Sequence, residues 1–205
     1  MSEEKMNAFV MKKIGETGVM QKDIPEPGPG EAVVKATGAL ICTSDVHTLE
    51  GGIGERENLT LGHEAVGTVH EVGHGVHGFK KGERVAVNAI TPCFRCTNCM
   101  RGYPSQCTTL LGGFKFSNTR DGNLAEFFLV NDAECNLAPI PHEVSDEKAA
   151  YCCDMISTGL MGAENANIPV GGTVAVFAQG PVGLMATAGA RLLGAGMVIA
   201  VETIE

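Results

Sequence analysis

Four cysteines follow one another at short spacings, in the pattern Cys93-x2-Cys96-x2-Cys99-x7-Cys107. Four thiolates at this spacing can surround one tetrahedral zinc ion, and the residues between them favour a loop over a helix or a strand. The alternative is a set of free or disulfide-bonded cysteines. Because a site closed by four thiolates has no open coordination position, the pattern predicts a structural zinc ion that holds a lobe together and takes no part in catalysis.

The last part of the sequence has the pattern of one strand–helix–strand unit. Thr173–Ala178 is a continuous apolar run typical of a buried parallel strand, Leu184–Leu193 is rich in Ala and Leu, and Met197–Val201 is a second apolar run. Since a parallel sheet of two strands is not a stable domain, we expect this unit to begin a larger domain and the chain to be the front portion of a longer protein.

Short extended segments separated by glycine and proline turns make up the earlier part of the chain. Val33–Ala36, Ala65–Val72 and Arg84–Val87 are predicted strands, and residues 73–82 carry turn signals. This pattern favours a compact, β-rich, barrel-like domain. It changes at Ser145–Ala150, which predicts a capped helix start with acidic residues in its first turn.

The composition argues against several classes of function. The chain has 205 residues, a net charge of −9, a pI near 5.1 and no Trp, so neither charge nor aromatic stacking supports a nucleic-acid partner. With no signal peptide and no apolar stretch long enough to span a membrane, we expect a cytoplasmic protein without a membrane partner. In that reducing compartment cysteines are ligands or free thiols, and Cys135 and Cys152 are expected to be buried apolar residues.

A second group of candidate metal ligands is spread along the chain and consists of Cys42, His63 and Asp154. Zinc accepts a thiolate, an imidazole and a carboxylate, and three protein ligands leave a fourth position open for a substrate. The two negative ligands would neutralise Zn²⁺, and the centre would remain a Lewis acid able to lower the pKa of an alcohol. Taken singly, the three residues have ordinary alternatives as a buried thiol, a hydrogen-bonded histidine and a helix residue.

The turn between the two late apolar runs matches the dinucleotide fingerprint G-x-G-x-x-G, with Ala178 in place of the first glycine. Backbone N–H groups and a helix N-terminus at such a turn approach a pyrophosphate. The candidate cofactor-binding residues in it are Gly180, Pro181, Val182 and Gly183. Glu202, after the second strand, stands where an acid would bind the ribose of NAD and repel the extra phosphate of NADP, so NAD is expected in preference to NADP.

With these motifs the sequence resembles the zinc-dependent alcohol dehydrogenases of the medium-chain dehydrogenase/reductase superfamily along nearly its whole length. Besides the four-cysteine loop, the resemblance rests on Ile41–His47, Leu61–Gly67, Lys81–Val85 and Val176–Gly183.

The resemblance implies a fold of the α+β and α/β classes. A GroES-like β-rich catalytic domain would cover residues 1–157, with a structural zinc lobe at about 91–109. The first βαβ unit of a truncated, NAD-binding Rossmann domain would follow over residues 158–205.

The resemblance also implies a ligand set for a catalytic zinc ion, in which Cys42, His63 and Asp154 match the family's ligands. The spacing of four residues to Thr158 selects Asp154 over the neighbouring Cys153. An aspartate at this position resembles the subgroup that acts on small secondary alcohols.

Five further residues match family positions around the reaction. Glu64 matches a glutamate that can approach the zinc ion during ligand exchange, and Asp45 matches a carboxylate that orients the ligand histidine. Ser44 and His47 match a relay that takes up the proton of the alcohol. Thr158 sits where the family lines the nicotinamide pocket.

The implied activity is hydride transfer between a small secondary alcohol and NAD, giving a ketone or an aldehyde. Two alternatives stay open: a non-catalytic, zinc-stabilised fragment or assembly module, and a polyol, threonine or formaldehyde dehydrogenase of the same superfamily. Because most of the family's cofactor domain would lie beyond Glu205, we expect weak or absent activity in the isolated chain. The complete protein is expected to be a homo-oligomer, either a dimer or a tetramer.

Overall fold

A computed structural model describes residues 5–109 and 115–204 of the chain. The internal contacts divide the chain into two compact units, Met1–Ala150 and Tyr151–Glu205. This division lies earlier in the chain than the boundary at residue 157 that the sequence suggests. The physical reason is that Met155–Asn165 forms one continuous helix, which a boundary at 157 would cut.

The first unit consists of short strands joined by turns and short helices, as its glycine-rich sequence predicts. Its strands are β1 (Lys5–Lys13), β2 (Glu16–Asp23), β3 (Ala32–Leu40), β4 (Leu59–Thr60), β5 (Glu64–Val72), β6 (Arg84–Val87), β7 (Phe127–Val130) and β8 (Leu137–Pro139). Its helices are α1 (Thr43–Leu49), α2 (Thr97–Met100), α3 (Ala133–Asn136) and α4 (Asp146–Ala150), with a 3-10 turn at Pro104–Gln106.

The strands of the first unit form two antiparallel sheets, with the orders β2-β1-β4 and β7-β3-β5-β6-β8. One face of the larger sheet is buried around Val34, Val69, Val85 and Phe128. Burial of a valine side chain contributes about 1.5–3 kcal/mol, so this cluster is a main source of stability for the sheet. The β-rich domain predicted from the sequence is confirmed.

A close approach between β3 and β5 determines where the start of β5 lies. A Cβ atom on Gly67 would lie 2.2 Å from the carbonyl oxygen of Lys35, so only glycine permits this spacing. The pairing continues to Leu40 opposite Glu64. The end of β3 and the start of β5 are thereby held together, and Cys42 follows the first shortly after its end while His63 directly precedes the second.

The second unit contains the strand–helix–strand motif that the apolar runs predict, preceded by a helix. Its elements are α5 (Met155–Asn165), β9 (Thr173–Phe177), α6 (Pro181–Leu192) and β10 (Met197–Val201). The two strands pair in parallel, from Met197 opposite Thr173 to Val201 opposite Phe177. Small residues let the two helices approach closely, since a Cβ atom on Gly159 would lie 2.6 Å from the backbone nitrogen of Ala186.

Two expectations about cysteine environments are wrong. The four-cysteine segment is not only a loop, because it contains α2 and the 3-10 turn. The helical turn brings Cys96 and Cys99, three residues apart, to one side of the backbone. Cys135 and Cys152 are exposed and not buried, because each lies in a short helix or turn at the surface of its unit. No helix in the described ranges is long and apolar enough to cross a membrane.

Candidate metal centres and cofactor turn

The four cysteines of the predicted structural site converge on one point. Their Sγ atoms all lie within 4.8 Å of one another. Individual separations are 3.5 Å for Cys96–Cys99, 3.6 Å for Cys93–Cys107 and 3.9 Å for Cys96–Cys107. A zinc ion bound by four thiolates at about 2.3 Å places its sulfurs about 3.8 Å apart. The donor set therefore fits a tetrahedral zinc ion in both chemistry and spacing.

The thiols of this cluster differ in how readily they ionise. Hydrogen bonds from the backbone N–H groups of Cys99 and Thr108 lower the pKa of Cys96 to about 5. Burial and the neighbouring thiols raise the pKa of Cys99 to about 12. Several thiolates cannot be packed side by side without a compensating positive charge, and a divalent cation would supply it.

Two buried asparagines fasten the segment before the cysteines to the rest of the first unit. The side-chain amide of Asn131 donates to the carbonyl of Thr91 at 3.2 Å, and that of Asn136 donates to the carbonyl of Pro92 at 3.1 Å. Both asparagines are at most 2% exposed. Cys93 therefore starts from a fixed backbone position.

A second group of candidate ligands in the first unit consists of Cys42, His63 and Glu64. One ligand atom of each lies within 4.8 Å of those of the others. Cys42 is the N-cap residue of α1, His63 directly precedes β5, and Glu64 begins it. His63 and Glu64 are at most 2% exposed. Cys42 is half-buried, and a thiol, an imidazole and a carboxylate this close together are a donor set that fits zinc.

The carboxylate of Asp45 joins the two chain segments that carry these ligands. Its Oδ2 accepts a hydrogen bond from the backbone N–H of Cys42, and its Oδ1 accepts one from the backbone N–H of Gly62, both at 3.0 Å. Oδ1 also lies 3.6 Å from Nδ1 of His63. Asp45 is only 4% exposed, so both hydrogen bonds are shielded from water.

The two residues of the predicted proton relay lie on α1 and differ in exposure. The hydroxyl of Ser44 is 3.4 Å from Nε2 of His63, beside the candidate ligands. The side chain of His47 is 68% exposed, and its Nδ1 lies 3.6 Å from the carboxylate of Glu50. The sequence reasoning missed Glu50, although its spacing of three residues from His47 on a helix could have indicated the contact.

In the second unit, Asp154 is the N-cap residue of α5. Its side chain accepts a hydrogen bond from the hydroxyl of Thr158, and its carbonyl accepts one from the hydroxyl of Ser157 at 2.9 Å. The role of Asp154 as a zinc ligand and that of Thr158 beside the nicotinamide both stay predictions.

The predicted cofactor turn connects β9 to α6, and its glycines differ in their surroundings. A Cβ atom on Gly183 would lie 1.8 Å from the carbonyl oxygen of Ala178, so the helix start and the turn are in direct backbone contact. A Cβ atom on Gly180 would meet no described atom within 4 Å. Pro181 and Val182 form the first turn of α6. The exposed carboxylate of Glu202 accepts a hydrogen bond from the backbone N–H of Gln179 at 2.7 Å.

Comparisons with known proteins agree with this architecture. Residues 28–142, more than half of the chain, match the alcohol dehydrogenase GroES-like domain family. The chain is 53% identical over 197 residues to the NADP-dependent isopropanol dehydrogenase of Thermoanaerobacter brockii, with 96% of this chain and 56% of that protein covered. It is 36% identical to a probable zinc-binding alcohol dehydrogenase of Mycobacterium tuberculosis, with 98% and 52% covered.

Solved structures of alcohol dehydrogenases are also similar to this chain. The alcohol dehydrogenase TADH from Thermus sp. ATN1 has a TM-score of 0.89 at 33% identity, with 97% of this chain and 58% of that chain covered. Zinc-dependent alcohol dehydrogenase 2 from Streptococcus pneumoniae, in its apo form, has a TM-score of 0.87 at 31% identity, with 95% and 55% covered.

The chain spans a little over half the length of the relatives that it matches. The similar protein from Thermoanaerobacter brockii is named an NADP-dependent isopropanol dehydrogenase, and the one from Mycoplasma pneumoniae a "probable" one. These names do not support the expected preference for NAD. The resemblance to zinc-dependent alcohol dehydrogenases is confirmed, and the chain belongs to the family of alcohol dehydrogenases with a GroES-like domain.

Proposed function

We propose that the protein containing this chain is a zinc-dependent oxidoreductase that transfers a hydride between a small secondary alcohol and a nicotinamide dinucleotide. The observation that carries the proposal is the proximity of the half-buried Cys42 to the buried His63 and Glu64 in a GroES-like fold. The substrate class is supported by relatives named isopropanol dehydrogenases.

The catalytic zinc ligands in this proposal are Cys42, His63 and Asp154. The thiolate and the carboxylate balance the charge of Zn²⁺, and His63 adds none. A zinc ion bound there supplies a Lewis acid that lowers the pKa of an alcohol. Glu64 is a fourth, exchangeable donor, which its complete burial beside His63 supports.

Other residues of the chain orient the zinc ligands and transfer a proton. Asp45 fixes the backbone of both ligand segments and so orients the imidazole of His63. The hydroxyl of Ser44 would accept the proton of the alcohol while giving up its own, and His47 would release a proton to solvent, which its 68% exposure supports. Thr158 contributes to the wall of the nicotinamide pocket.

The four-cysteine cluster holds a second zinc ion with a structural role. Cys93, Cys96, Cys99 and Cys107 would supply all four ligands of this ion, which would leave no position open to a substrate. The sulfur spacing and the mutually unfavourable ionisation of the thiols support this assignment.

For the cofactor we propose NAD, bound at the turn formed by Gly180, Pro181, Val182 and Gly183. The support is the carboxylate of Glu202 after β10, because a negative charge at this place opposes the 2′-phosphate of NADP. The backbone N–H groups of Gln179 and Thr203 lower the pKa of Glu202, which keeps it charged. NADP is the second candidate because several relatives are named NADP-dependent.

The complete protein is also proposed to be a homo-oligomer in a reducing compartment such as the cytoplasm. The resemblance supports the first statement, and the metal-ligand arrangement of the four clustered cysteines supports the second. Light scattering of the purified protein measures the oligomeric state. A monomer at micromolar concentration would contradict the first statement.

The test is reduction of NAD⁺ and NADP⁺ by propan-2-ol, catalysed by the product of the complete reading frame that contains these residues. We expect His63→Ala to abolish the reaction and to lower the zinc content from two ions per chain to one. His74→Ala, which changes an exposed histidine in a loop, is the matched control and should leave both unchanged.

Undiminished turnover in His63→Ala would refute the metal assignment. A higher kcat/KM with NADP⁺ than with NAD⁺ would refute the cofactor preference. Two tightly bound zinc ions with neither cofactor binding nor turnover would support the alternative of a zinc-stabilised assembly module.

A further inference from the structure

The turn between β9 and α6 contains a residue in an unfavourable backbone conformation. Ala178 has φ = +66°, in the left-handed region that L-residues other than Gly, Asn and Asp rarely adopt. For alanine this conformation is disfavoured by a factor of about 5 to 30 in population. A turn with this residue needs other contacts to keep it in place.

Gln179 supplies such contacts through its side chain. Its Nε2 donates to the carbonyl of Val176 at 2.9 Å and to the carbonyl of Ala178 at 3.3 Å. Its Oε1 accepts a hydrogen bond from the hydroxyl of Thr187 at 3.2 Å. One amide group therefore links the end of β9, the turn itself and the second turn of α6.

The backbone of Gln179 is held from the opposite strand. Its N–H donates to Oε2 of Glu202 at 2.7 Å, and the neighbouring N–H of Ala178 donates to the carbonyl of Val201 at 2.9 Å. The residue that follows the strained position is thus fastened through both its side chain and its main chain.

We propose that Gln179 is a positioning residue, which holds the cofactor turn closed against the left-handed strain at Ala178. The identity of the ligand at this turn rests on the proposed function, in which the turn binds the pyrophosphate of a nicotinamide dinucleotide. In the G-x-G-x-x-G pattern the first glycine adopts a tight turn at little cost. This chain has alanine there, and the amide of Gln179 compensates for that difference.

The proposal predicts a pair of opposite effects that amide hydrogen exchange of the complete protein containing this chain can measure. Gln179→Ala removes three hydrogen bonds and should reduce the exchange protection of the residue-179 backbone N–H by about 5- to 30-fold. Adding Ala178→Gly to this variant removes the strain and should restore the protection by a similar factor. The N–H of Ala195, which bonds to the carbonyl of Ala190 in the same unit, should exchange equally in all variants.

An isosteric variant separates hydrogen bonding from mere space filling. Gln179→Glu keeps the shape but places a carboxylate against the carbonyls of Val176 and Ala178, so it should lose as much protection as Gln179→Ala. Wild-type protection in Gln179→Glu would overturn the proposal. So would a further loss of protection on adding Ala178→Gly, because it would mean that Ala178 is not strained.

Titration of the same variants with NADH distinguishes this inference from the proposed function. If the turn binds the cofactor, the affinity of Gln179→Ala for NADH should fall by the same factor as the fraction of molecules in which the turn is closed. No binding of NADH to the complete wild-type protein would count against a cofactor site at this turn, and the exchange measurements alone would then decide the role of Gln179. An affinity that falls without any change in protection would overturn the positioning role.

Discussion

Replacing Asp45 by asparagine tests whether one carboxylate holds the candidate catalytic ligands together. In the structure its two oxygens accept one backbone N–H each, from Cys42 and from Gly62. An asparagine side chain keeps one acceptor oxygen but turns an NH₂ group toward the other N–H. Asp45→Asn therefore loses one hydrogen bond to a charged group and leaves a buried donor unsatisfied.

The expected loss of stability follows from these two changes. A hydrogen bond to a charged group contributes about 1.5–3 kcal/mol, and an unsatisfied buried group costs about 1–3 kcal/mol. Because the site can partly relax, we expect Asp45→Asn to lower the free energy of unfolding by about 3 kcal/mol. This is a large part of the total free energy of unfolding of a typical protein, which is about 5–15 kcal/mol. Zinc affinity at Cys42 and His63 should fall by about 10- to 100-fold.

The assay is urea unfolding followed by circular dichroism at a fixed concentration of free zinc, because bound metal shifts the unfolding midpoint. Asp23→Asn is the matched control, since it makes the same chemical change at a side chain that is 82% exposed and forms an ion pair with Lys5. The control should change stability by less than about 0.5 kcal/mol. Equal effects of the two substitutions, or unchanged zinc affinity in Asp45→Asn, would refute the reasoning.

Three further predictions concern other parts of the chain. Cys96→Ser should lower the zinc content measured by mass spectrometry by one ion per chain, and an unchanged content would contradict the structural site. Asp146 has its pKa held below the ordinary 3.8 by Thr37 and Arg84, so Asp146→Asn should cost about 1 kcal/mol at pH 7. This cost should disappear in urea titrations as the pH falls below 3.8 through the folded-state pKa, and a difference that persists there would contradict the ion pair. Gly67→Ala should destabilise the first unit by about 3 kcal/mol through its contact with a β3 carbonyl, whereas Gly162→Ala, in open space on α5, should stabilise the second by about 0.5–1 kcal/mol. Equal melting temperatures of these two variants would contradict the packing argument.

Local pattern was sufficient to predict several elements of the fold. The bounds of β6 and β10 are those of the predicted strands, because each is a short segment rich in apolar residues and bounded by turn residues. The four-cysteine cluster was predictable because its ligands lie close together in sequence and a short chain cannot place them far apart. The capped start of α4 followed from Ser145 and the acidic residues after it.

Features that depend on distant contacts were not predictable from the pattern. The hydrogen bond from Gly62 to Asp45 joins residues seventeen positions apart and exists only because β3 and β5 pair closely. The left-handed conformation of Ala178 opposes the intrinsic preference of alanine and requires the side chain of Gln179. The exposure of Cys135 and Cys152 likewise depends on tertiary structure, because a cysteine is apolar enough for either environment.

The two solvent-facing thiols give the chain chemical handles that the sequence did not suggest. Alkylating reagents attack thiolates, and burial together with the carboxylates of Asp132 and Glu134 raises the pKa of Cys135. Maleimide labelling of Cys135 should therefore be slow at neutral pH and should become faster as the pH rises. A fluorophore attached to the exposed Cys152 would report on the second unit, while cysteines engaged by metal would stay unmodified.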